Sequence, residues 1–348
     1  MANPLRVGIL NEMSDGPPGP VDIEQWLRLA VDECIAAGRI DRPVEFVHAW
    51  GLGLPPGTAA AVERSYAKLA DEDALLIVGP AIGDNALVAT PLAENRRVPT
   101  INWAGSERAR GTYMFHLQVG SHEDESIVLA RHMHGLTSKR LGIFYDRSPI
   151  GRRHLQFLQA EAEILGLPIA STVSLSPLAQ NAAAEASHVL DARPDAILYL
   201  GLGISAPAVA NALTARGWDG PRAMNTAGIR GYAPDFRKLI DGWIYVDMFS
   251  DRNTTLSALC KRLNVPQLGS LSAAKGYDLG RLVAEGLARA TEYTRDGIKE
   301  GLEQIKWLPA AEGHEGTLLG FGNCDRGALH GRYLVLRQWR NDQSIEIS

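Results

Sequence analysis

The sequence predicts an α/β protein with two doubly wound, parallel-sheet lobes. Residues 74–84 combine a continuous apolar run, a Gly-Pro break, a small-residue turn and the start of a helical pattern. Such a run is typical of a strand that is buried on both faces of a parallel sheet. Four strand-to-helix units follow one another before Gly105, and the same alternation starts again after Gly120. This doubled pattern predicts two similar lobes.

The first lobe is predicted from apolar runs that alternate with amphipathic segments. The first helix shows helical spacing of its apolar residues from Ile23 to Cys34 and ends at Gly38. Asp84 is predicted to be the N-cap of the third helix. The predicted strands are residues 6–10, 44–48, 74–78, 98–102 and 113–117, and the further helices are residues 59–69 and 84–95.

The second lobe is predicted from the renewed alternation after Gly120. Its predicted helices are residues 122–134 and 151–165, and its strands are residues 140–145, 169–173, 196–200, 223–225 and 243–247. Residues 248–253 indicate a second crossing, after which the apolar helix 270–291 is expected to return to the first lobe. Residues 333–337 are predicted to be a closing strand, and the tail after Trp339 is polar.

Composition and charge exclude several classes of function. The chain has 348 residues, 45% of them hydrophobic, which is ample for more than one core. Its net charge is -5 without any block of like charge, so we expect no nucleic-acid partner. No apolar run approaches the roughly 20 residues of a membrane span, so we expect no direct membrane insertion. No signal peptide is apparent, so the protein is expected in the cytoplasm if the sequence is complete, or in the periplasm if an export signal has been removed.

Two glycine-rich turns follow predicted strands, the position that a nucleotide-binding loop would occupy. Residues 51–57 follow a strand, but their glycine spacing is one residue too long and two prolines interrupt it. Gly201 and Gly203 also follow a strand without a third glycine, so this turn is either a flexible connection or part of a ligand-lining surface. We therefore predict no cofactor.

No catalytic or metal-binding constellation is apparent. The three cysteines are far apart, and His132 and His134 point in different directions from one helix. Asp146 follows a strand, but no base, nucleophile or metal partner can be identified for it, so ion pairing or capping is its expected role. We predict no metal and no enzymatic activity.

Several short segments occur in an order and spacing that resemble a known family. They are residues 6–10, 78–80, 98–101, 113–115, 144–146 with Gly151, 277–278, 325–327 and 331–336. This series resembles the type I periplasmic binding proteins, in particular the branched-chain amino acid and amide group of ABC-transporter substrate-binding proteins. The resemblance covers nearly the whole chain.

The resemblance implies two lobes that are joined by three crossings and close on a ligand by a hinge motion. The crossings are expected near Gly120, Met248 and Leu329. The N-terminal lobe then comprises residues 1–120 and 249–328, and the C-terminal lobe residues 121–248 and 329–348. The implied function is non-catalytic binding of a small molecule for uptake, with an ABC-transporter permease as partner.

The resemblance also implies that loops at strand ends contact the ligand. In the N-terminal lobe these positions are Glu12, Met13, Ala81, Ile82, Gly83, Asn102, Trp103, Ala104, Gly105 and Ser106. In the C-terminal lobe they are the loop from Tyr145 to Ile150, then Leu202, Gly203, Asn225 to Ala227, and Met248 near the hinge.

Departures from the family pattern bear on the ligand. Amino-acid binders present hydroxyls from the loop after the fourth strand, where only Ser106 keeps one, and an acid from the region of residues 225–227, which is neutral here. An unpaired buried ammonium is costly, so a ligand more apolar than a plain amino acid is expected. Five large apolar residues favour such a ligand, namely Met13, Ile82, Trp103, Ile150 and Met248. Trp103 could instead pack against its own lobe, and Glu12 or Asp146 could supply a counter-charge.

A second hypothesis keeps the fold and changes the role. A cytoplasmic ligand sensor of the same fold would control a regulatory protein instead of delivering its ligand to a permease. The missing export signal favours this alternative, and neighbouring permease genes would favour transport.

Overall fold

The computed structural model describes residues 3–17, 23–136, 140–265 and 270–347, and it divides into two compact units. Unit 1 comprises Met1–Val119 and Met248–Tyr333, and unit 2 comprises Gly120–Asp247 and Leu334–Ser348. The predicted boundaries at residues 120 and 248 each differ by one residue from the observed 119 and 247, and the third, at 328, differs by five from 333. The third boundary is later because residues 329–330 form a strand of a small sheet in unit 1.

Unit 1 is built on a five-stranded parallel sheet with the strand order β2-β1-β3-β4-β5. The strands are β1 Leu5–Asn11, β2 Val44–Trp50, β3 Leu76–Val78, β4 Thr100–Asn102 and β5 Met114–His116. The helices between them are α1 Glu24–Ala36, α2 Ala59–Asp71 and α3 Gly83–Arg96. The central strands β3 and β4 are buried at every position, as their continuous apolar sequence predicts.

The start of α3 differs from the prediction. Ile82, in an extended conformation, is the N-cap residue, and Asp84 lies inside the first helical turn. The helix begins earlier because Gly83 already has helical geometry. A carboxylate in the first turn still interacts favourably with the positive end of the helix dipole, so Asp84 fits this position without capping it.

Unit 2 is built on a seven-stranded sheet with the order β15-β14-β10-β9-β8-β6-β7. Its strands are β6 Leu141–Asp146, β7 Ile169–Leu175, β8 Ala196–Leu200, β9 Arg222–Met224, β10 Ile244–Asp247, β14 Val335–Arg340 and β15 Gln343–Glu346. Its helices are α4 Asp124–Gly135, α5 Pro149–Leu165, α6 Ala183–Asp191, α7 Ala206–Ala215 and α8 Pro234–Arg237, with 3-10 helices at Thr226–Tyr232 and Lys238–Ile240. Strands β6 to β10 are parallel, whereas β14 and β15 pair antiparallel, so this sheet is mixed.

The polar tail after Trp339 forms a hairpin that the sequence analysis did not predict. Asn341 and Asp342 both have positive φ, at 50° and 62°, which suits the two-residue turn between β14 and β15. The fully buried Arg337 donates from Nε to Ser344 Oγ at 2.6 Å and from Nη2 to the Ser344 carbonyl oxygen at 2.9 Å. These bonds fix the polar strand to the sheet.

The last part of unit 1 returns to the first sheet, as the apolar pattern of residues 270–291 predicts. It contains helices α9 Thr254–Leu263, α10 Ser270–Arg289 and α11 Arg295–Glu303, and a three-stranded antiparallel sheet of β11 Leu308–Pro309, β12 Leu318–Leu319 and β13 Leu329–His330. Helix α10 packs on α1 and contributes Leu279, Leu282 and Val283 to the unit 1 core. No helix among the described residues is long and apolar enough to cross a membrane.

The close approach of α10 to α1 depends on Gly280 and gives a stability prediction. A Cβ atom at Gly280 would lie 2.6 Å from the Trp26 carbonyl oxygen, which is backbone and cannot turn away. We expect Gly280→Ala to lower the free energy of unfolding by about 1–3 kcal/mol through overpacking. Gly135, at the end of α4, has no atom of the described residues within 4 Å of such a Cβ, so Gly135→Ala should leave stability unchanged or raise it by up to about 1 kcal/mol. Denaturant unfolding measures both, and equal effects of the two changes would contradict this packing.

Candidate functional site

Three parallel strands of unit 1 end side by side and bring predicted site residues together. Glu12 follows β1, Ala81 and Ile82 follow β3, and Trp103 follows β4. The backbone nitrogen of Trp103 donates to the Pro80 carbonyl oxygen at 3.0 Å, so the turns after β3 and β4 are joined. Ligands of open parallel sheets bind beyond the carboxyl ends of the strands, which is this edge.

Glu12 connects the first two of these turns. Its Oε1 accepts hydrogen bonds from the backbone nitrogens of Ala81 at 2.6 Å and Ile82 at 2.9 Å. Glu12 is only 3% exposed. Burial disfavours the ionised form more than these bonds favour it, so the pKa of Glu12 is raised to about 7. The carboxyl group can therefore change protonation state near neutral pH.

Trp103 packs within unit 1 and also borders a small cavity. The residue is 7% exposed and belongs to the main core of the unit, and the Lys275 Nζ lies 4.5 Å from the centroid of its ring. The cavity has a volume of about 20 Å³ and is lined by residues 9–14, Ile23 and Trp103. Space for about one water molecule thus lies against both the indole and the Glu12 loop.

The loop after β4 is held closed by Asn102. The Asn102 Nδ2 donates to the carbonyl oxygens of Ala109 and Phe115, both at 2.8 Å, and its Oδ1 accepts from the Ala104 nitrogen at 3.3 Å. The side chain is fully buried, so its observed role is to shape the loop. Of the other predicted positions here, Gly83, Ala104 and Ser106 are buried, and Met13, Ala81, Ile82 and Gly105 are partly exposed.

Unit 2 gathers the carboxyl ends of its neighbouring strands β9, β8 and β6 in the same way. Asp146, at the end of β6, accepts from the Leu202 nitrogen at 2.8 Å, from Ser205 Oγ at 2.5 Å and from the Tyr199 hydroxyl at 3.1 Å. It is fully buried, and burial raises its pKa. These bonds fix the turn after β8, which agrees with a supporting role for Asp146.

Asn225 holds the other side of that turn. Its Nδ2 donates to the Gly201 carbonyl oxygen at 2.9 Å, and its Oδ1 accepts from the Gly201 nitrogen at 3.2 Å. The same Nδ2 lies 3.1 Å from Nε2 of the fully buried His154, which burial keeps neutral by holding its pKa well below the usual value. Because Nδ2 only donates, Nε2 accepts and the His154 proton resides on Nδ1, which faces Ser126 Oγ at 3.2 Å.

An acidic side chain reaches residue 226, although the sequence analysis described this region as neutral. Glu125, from α4, accepts from the Thr226 nitrogen at 2.6 Å and the Ser121 nitrogen at 2.6 Å. It is fully buried, which raises its pKa to about 8 despite these donors. No local sequence pattern indicates this contact, because the two residues are 101 positions apart in the chain.

The remaining predicted positions of the second lobe differ in their setting. Tyr145 and Leu202 are partly exposed, whereas Ile150, Gly203 and Ala227 are buried. Met248 is fully buried and belongs to unit 1, where its carbonyl oxygen accepts from the Gly313 nitrogen at 2.6 Å. The boundary between the two units lies directly before Met248, which was predicted to be the last residue of the C-terminal lobe, near the hinge.

Within the described ranges, no group of three or more histidine, cysteine or acidic side chains is placed to hold a metal ion. The three cysteines are free thiols. The polar side chains at the strand ends are instead used to fix backbone turns, as the bonds of Asn102, Asp146 and Asn225 show.

The setting of Glu12 predicts a pH dependence of stability. Because its folded pKa of about 7 exceeds the ordinary 4.5, the folded state binds more protons between these values and loses stability as pH rises through them. Glu12→Gln keeps the oxygen that accepts from Ala81 and Ile82 but cannot ionise. We expect its stability relative to the unaltered protein to rise by about 1–3 kcal/mol between pH 4.5 and pH 8. Urea unfolding at a series of pH values measures this, with Glu63→Gln at an exposed position of α2 as control; equal pH profiles for both variants would contradict it.

Solved structures share this fold over the full chain. A leucine-binding protein LivK from Thermotoga maritima superimposes with a TM-score of 0.82 at 17% identity, over 99% of this chain and 98% of that one. An ABC-transporter solute-binding protein from R. palustris in complex with 4-hydroxybenzoate gives 0.79 at 16% identity, over 99% and 96%. A putative branched-chain amino acid ABC transporter from Rhodospirillum rubrum gives 0.69 at 20% identity, over 99% and 100%. No curated protein matches the sequence.

The family follows from the sequence match, which agrees with the fold and with the arrangement of loops at the strand ends. The family model described as periplasmic binding protein matches residues 4–340, nearly the whole chain. The resemblance inferred from the short segments is thereby confirmed, as is the α/β fold class with two lobes. The chain belongs to the periplasmic binding protein family.

Proposed function

We propose that this protein binds a small organic molecule, without catalysis, between its two lobes and delivers it to an ABC-transporter permease. The observation behind the proposal is the edge of unit 1 where the loops that follow β1, β3 and β4 meet, joined by the bonds of Glu12 to Ala81 and of Trp103 to Pro80. Membership of a family of solute-binding proteins supports it. The corresponding edge of unit 2 has turns that are equally fixed, by Asp146 and Asn225.

The proposed ligand is an organic acid or amide with a largely apolar body. Met13, Ile82 and Trp103 offer apolar surface in unit 1, and each Å² of apolar surface buried contributes roughly 25 cal/mol. Two of the similar structures are a leucine-binding protein and a protein in complex with 4-hydroxybenzoate, so this fold accommodates both aliphatic and aromatic bodies. The buried carboxyl groups of Glu12 and Glu125 are bound to backbone nitrogens, which limits what they offer to an ammonium group.

The proposed setting is the periplasm, where proteins of this family typically act. The alternative is a cytoplasmic sensor of the same fold that passes ligand binding to a regulatory protein. The two roles are distinguished by testing whether an immobilised permease or an immobilised regulator, each encoded by a gene beside that of this protein, captures the purified protein.

Native mass spectrometry of the purified protein tests the binding function. We expect a mass above that of the bare chain by the mass of one small organic molecule, which is lost on denaturation. The released molecule is then identified by its fragmentation. Slow conversion of that molecule into a product by the protein would overturn the non-catalytic assignment.

A thermal-shift experiment tests the character of the ligand. We expect aromatic or other largely apolar carboxylates and amides to raise the melting temperature more than leucine, isoleucine or valine do, because the loops offer apolar surface. Trp103→Ala should weaken binding by about 1–3 kcal/mol, which is the free energy gained when one large apolar side chain is buried against a ligand.

The control for this change is Trp307→Ala, which removes the same side chain from a position that is 71% exposed. Because Trp103 also packs in the core, Trp103→Phe is measured beside it to separate lost folding stability from lost affinity. Tight binding of leucine together with unchanged affinity in Trp103→Ala would show that the pocket lies elsewhere.

A further inference from the structure

Arg230 occupies the candidate edge of unit 2, although the sequence analysis did not single it out. It lies in the 3-10 helix Thr226–Tyr232, which directly follows β9, three residues after the predicted site residue Ala227. Arg230 is exposed to solvent. The side chain therefore starts from the same edge of the sheet that Asp146, Leu202 and Asn225 define.

The side chain of Arg230 passes over the turn after β8, and Gly203 makes room for it. A Cβ atom at Gly203 would lie 2.6 Å from the Cδ of Arg230 and 3.0 Å from the Cβ of Ala227. Gly203 also has a φ of +91°, a conformation that side-chain-bearing residues rarely adopt. The geometry of this turn thus accommodates both the backbone bend and the arginine.

The guanidinium group of Arg230 has no hydrogen-bond or ion-pair partner among the residues that the structure describes. Two other arginines of unit 2 form ion pairs, Arg153 with Glu123 at 2.8 Å and Arg131 with Glu161 at 2.6 Å. Surrounding protein atoms partly desolvate the group and lower the pKa of Arg230. A guanidinium group that lies against protein atoms on one side, faces solvent on the other and has no ion-pair partner can accept a bound anion.

The acids on the same edge do not supply that anion. Both carboxylate oxygens of Asp146 are engaged, by Tyr199, Ser205 and the Leu202 nitrogen. Both oxygens of Glu125 accept from the backbone, at Ser121 and Thr226. Neither acid therefore neutralises the positive charge of Arg230, and an anionic ligand could do so.

We propose that Arg230 binds the carboxylate of the ligand and that the ligand class is an organic carboxylic acid with an apolar body. This inference rests on the proposed binding function and narrows it from acids or amides to acids. A guanidinium group binds a carboxylate through two parallel hydrogen bonds, which neither a neutral amide nor a lysine reproduces. The partly exposed, apolar side chain of Leu202 lies on the same edge and suits the body of such a ligand.

Titration calorimetry of matched acids and amides tests this role. The probes are benzoate, 4-hydroxybenzoate, phenylacetate and 3-methylbutanoate, each compared with its primary amide, in buffer of fixed ionic strength. We expect at least one acid to bind at least 10-fold more tightly than its amide. Arg230→Gln should lower the affinity for that acid by about 10- to 150-fold, because charged hydrogen bonds are lost. It should change the affinity for the corresponding amide by less than about 3-fold.

Two variants separate geometry from net charge. Arg230→Lys keeps the charge without the planar fork and should recover only part of the affinity. Arg216→Gln removes a charge from the end of α7, at the opposite edge of the same sheet, and should bind the acid as the unaltered protein does. Without ligand, Arg230→Gln should melt at the same temperature or higher, since it removes an unpaired cation.

The outcomes distinguish this inference from the broader function. Acid affinity that is unchanged in Arg230→Gln, or a large drop in its ligand-free melting temperature, overturns the role of Arg230 while the binding function stands. No binding of any acid in the panel overturns the carboxylate assignment. A bare chain in native mass spectrometry would count against the binding function itself.

Discussion

The turns at the strand ends of this protein depend on buried polar side chains that satisfy their backbone groups. In unit 1, Glu12 accepts from two consecutive nitrogens in the turn after β3, and Asn102 bonds to Ala109 within the loop after β4 and to Phe115 in β5. In unit 2, Asp146 and Asn225 hold the turn after β8 from its two sides. Unsatisfied backbone groups in such buried turns would cost about 1–3 kcal/mol each. These side chains therefore stabilise rigid loops at the edge of the sheet.

This constraint explains why polar residues at the candidate site divide into two kinds. Asn102, Asp146 and Asn225 are buried and use their polar atoms within their own units, so they support the surface. Met13, Ile82 and Leu202 are partly exposed and provide apolar surface beside them. Arg230 adds an exposed charge without a protein partner. Under the proposed function, such a surface would select its ligand by shape and by one charge, and its fixed loops would lower the ordering cost of binding.

The fold could be predicted from sequence where burial on both faces leaves a continuous apolar run. Strands β3 and β4 were found for this reason, and the rule that sites lie beyond strand ends placed the loops at Glu12 and Trp103. Strand β15 was missed because its residues are polar, and it is held by Arg337 and Ser344. The contacts of Glu125 with Thr226 and of Arg230 with Gly203 were missed because they join segments far apart in sequence, and no local pattern encodes them.

The central proposal is the hinge closure on a ligand that the family resemblance implies. Small-angle X-ray scattering tests this most directly, with the protein stripped of ligand by unfolding and refolding, and again after its released ligand is added back at saturation. Closure requires contacts to both units that only the closed form makes. The account predicts a smaller radius of gyration with ligand. An unchanged radius, in a sample that calorimetry shows to be saturated and that starts open, would contradict it.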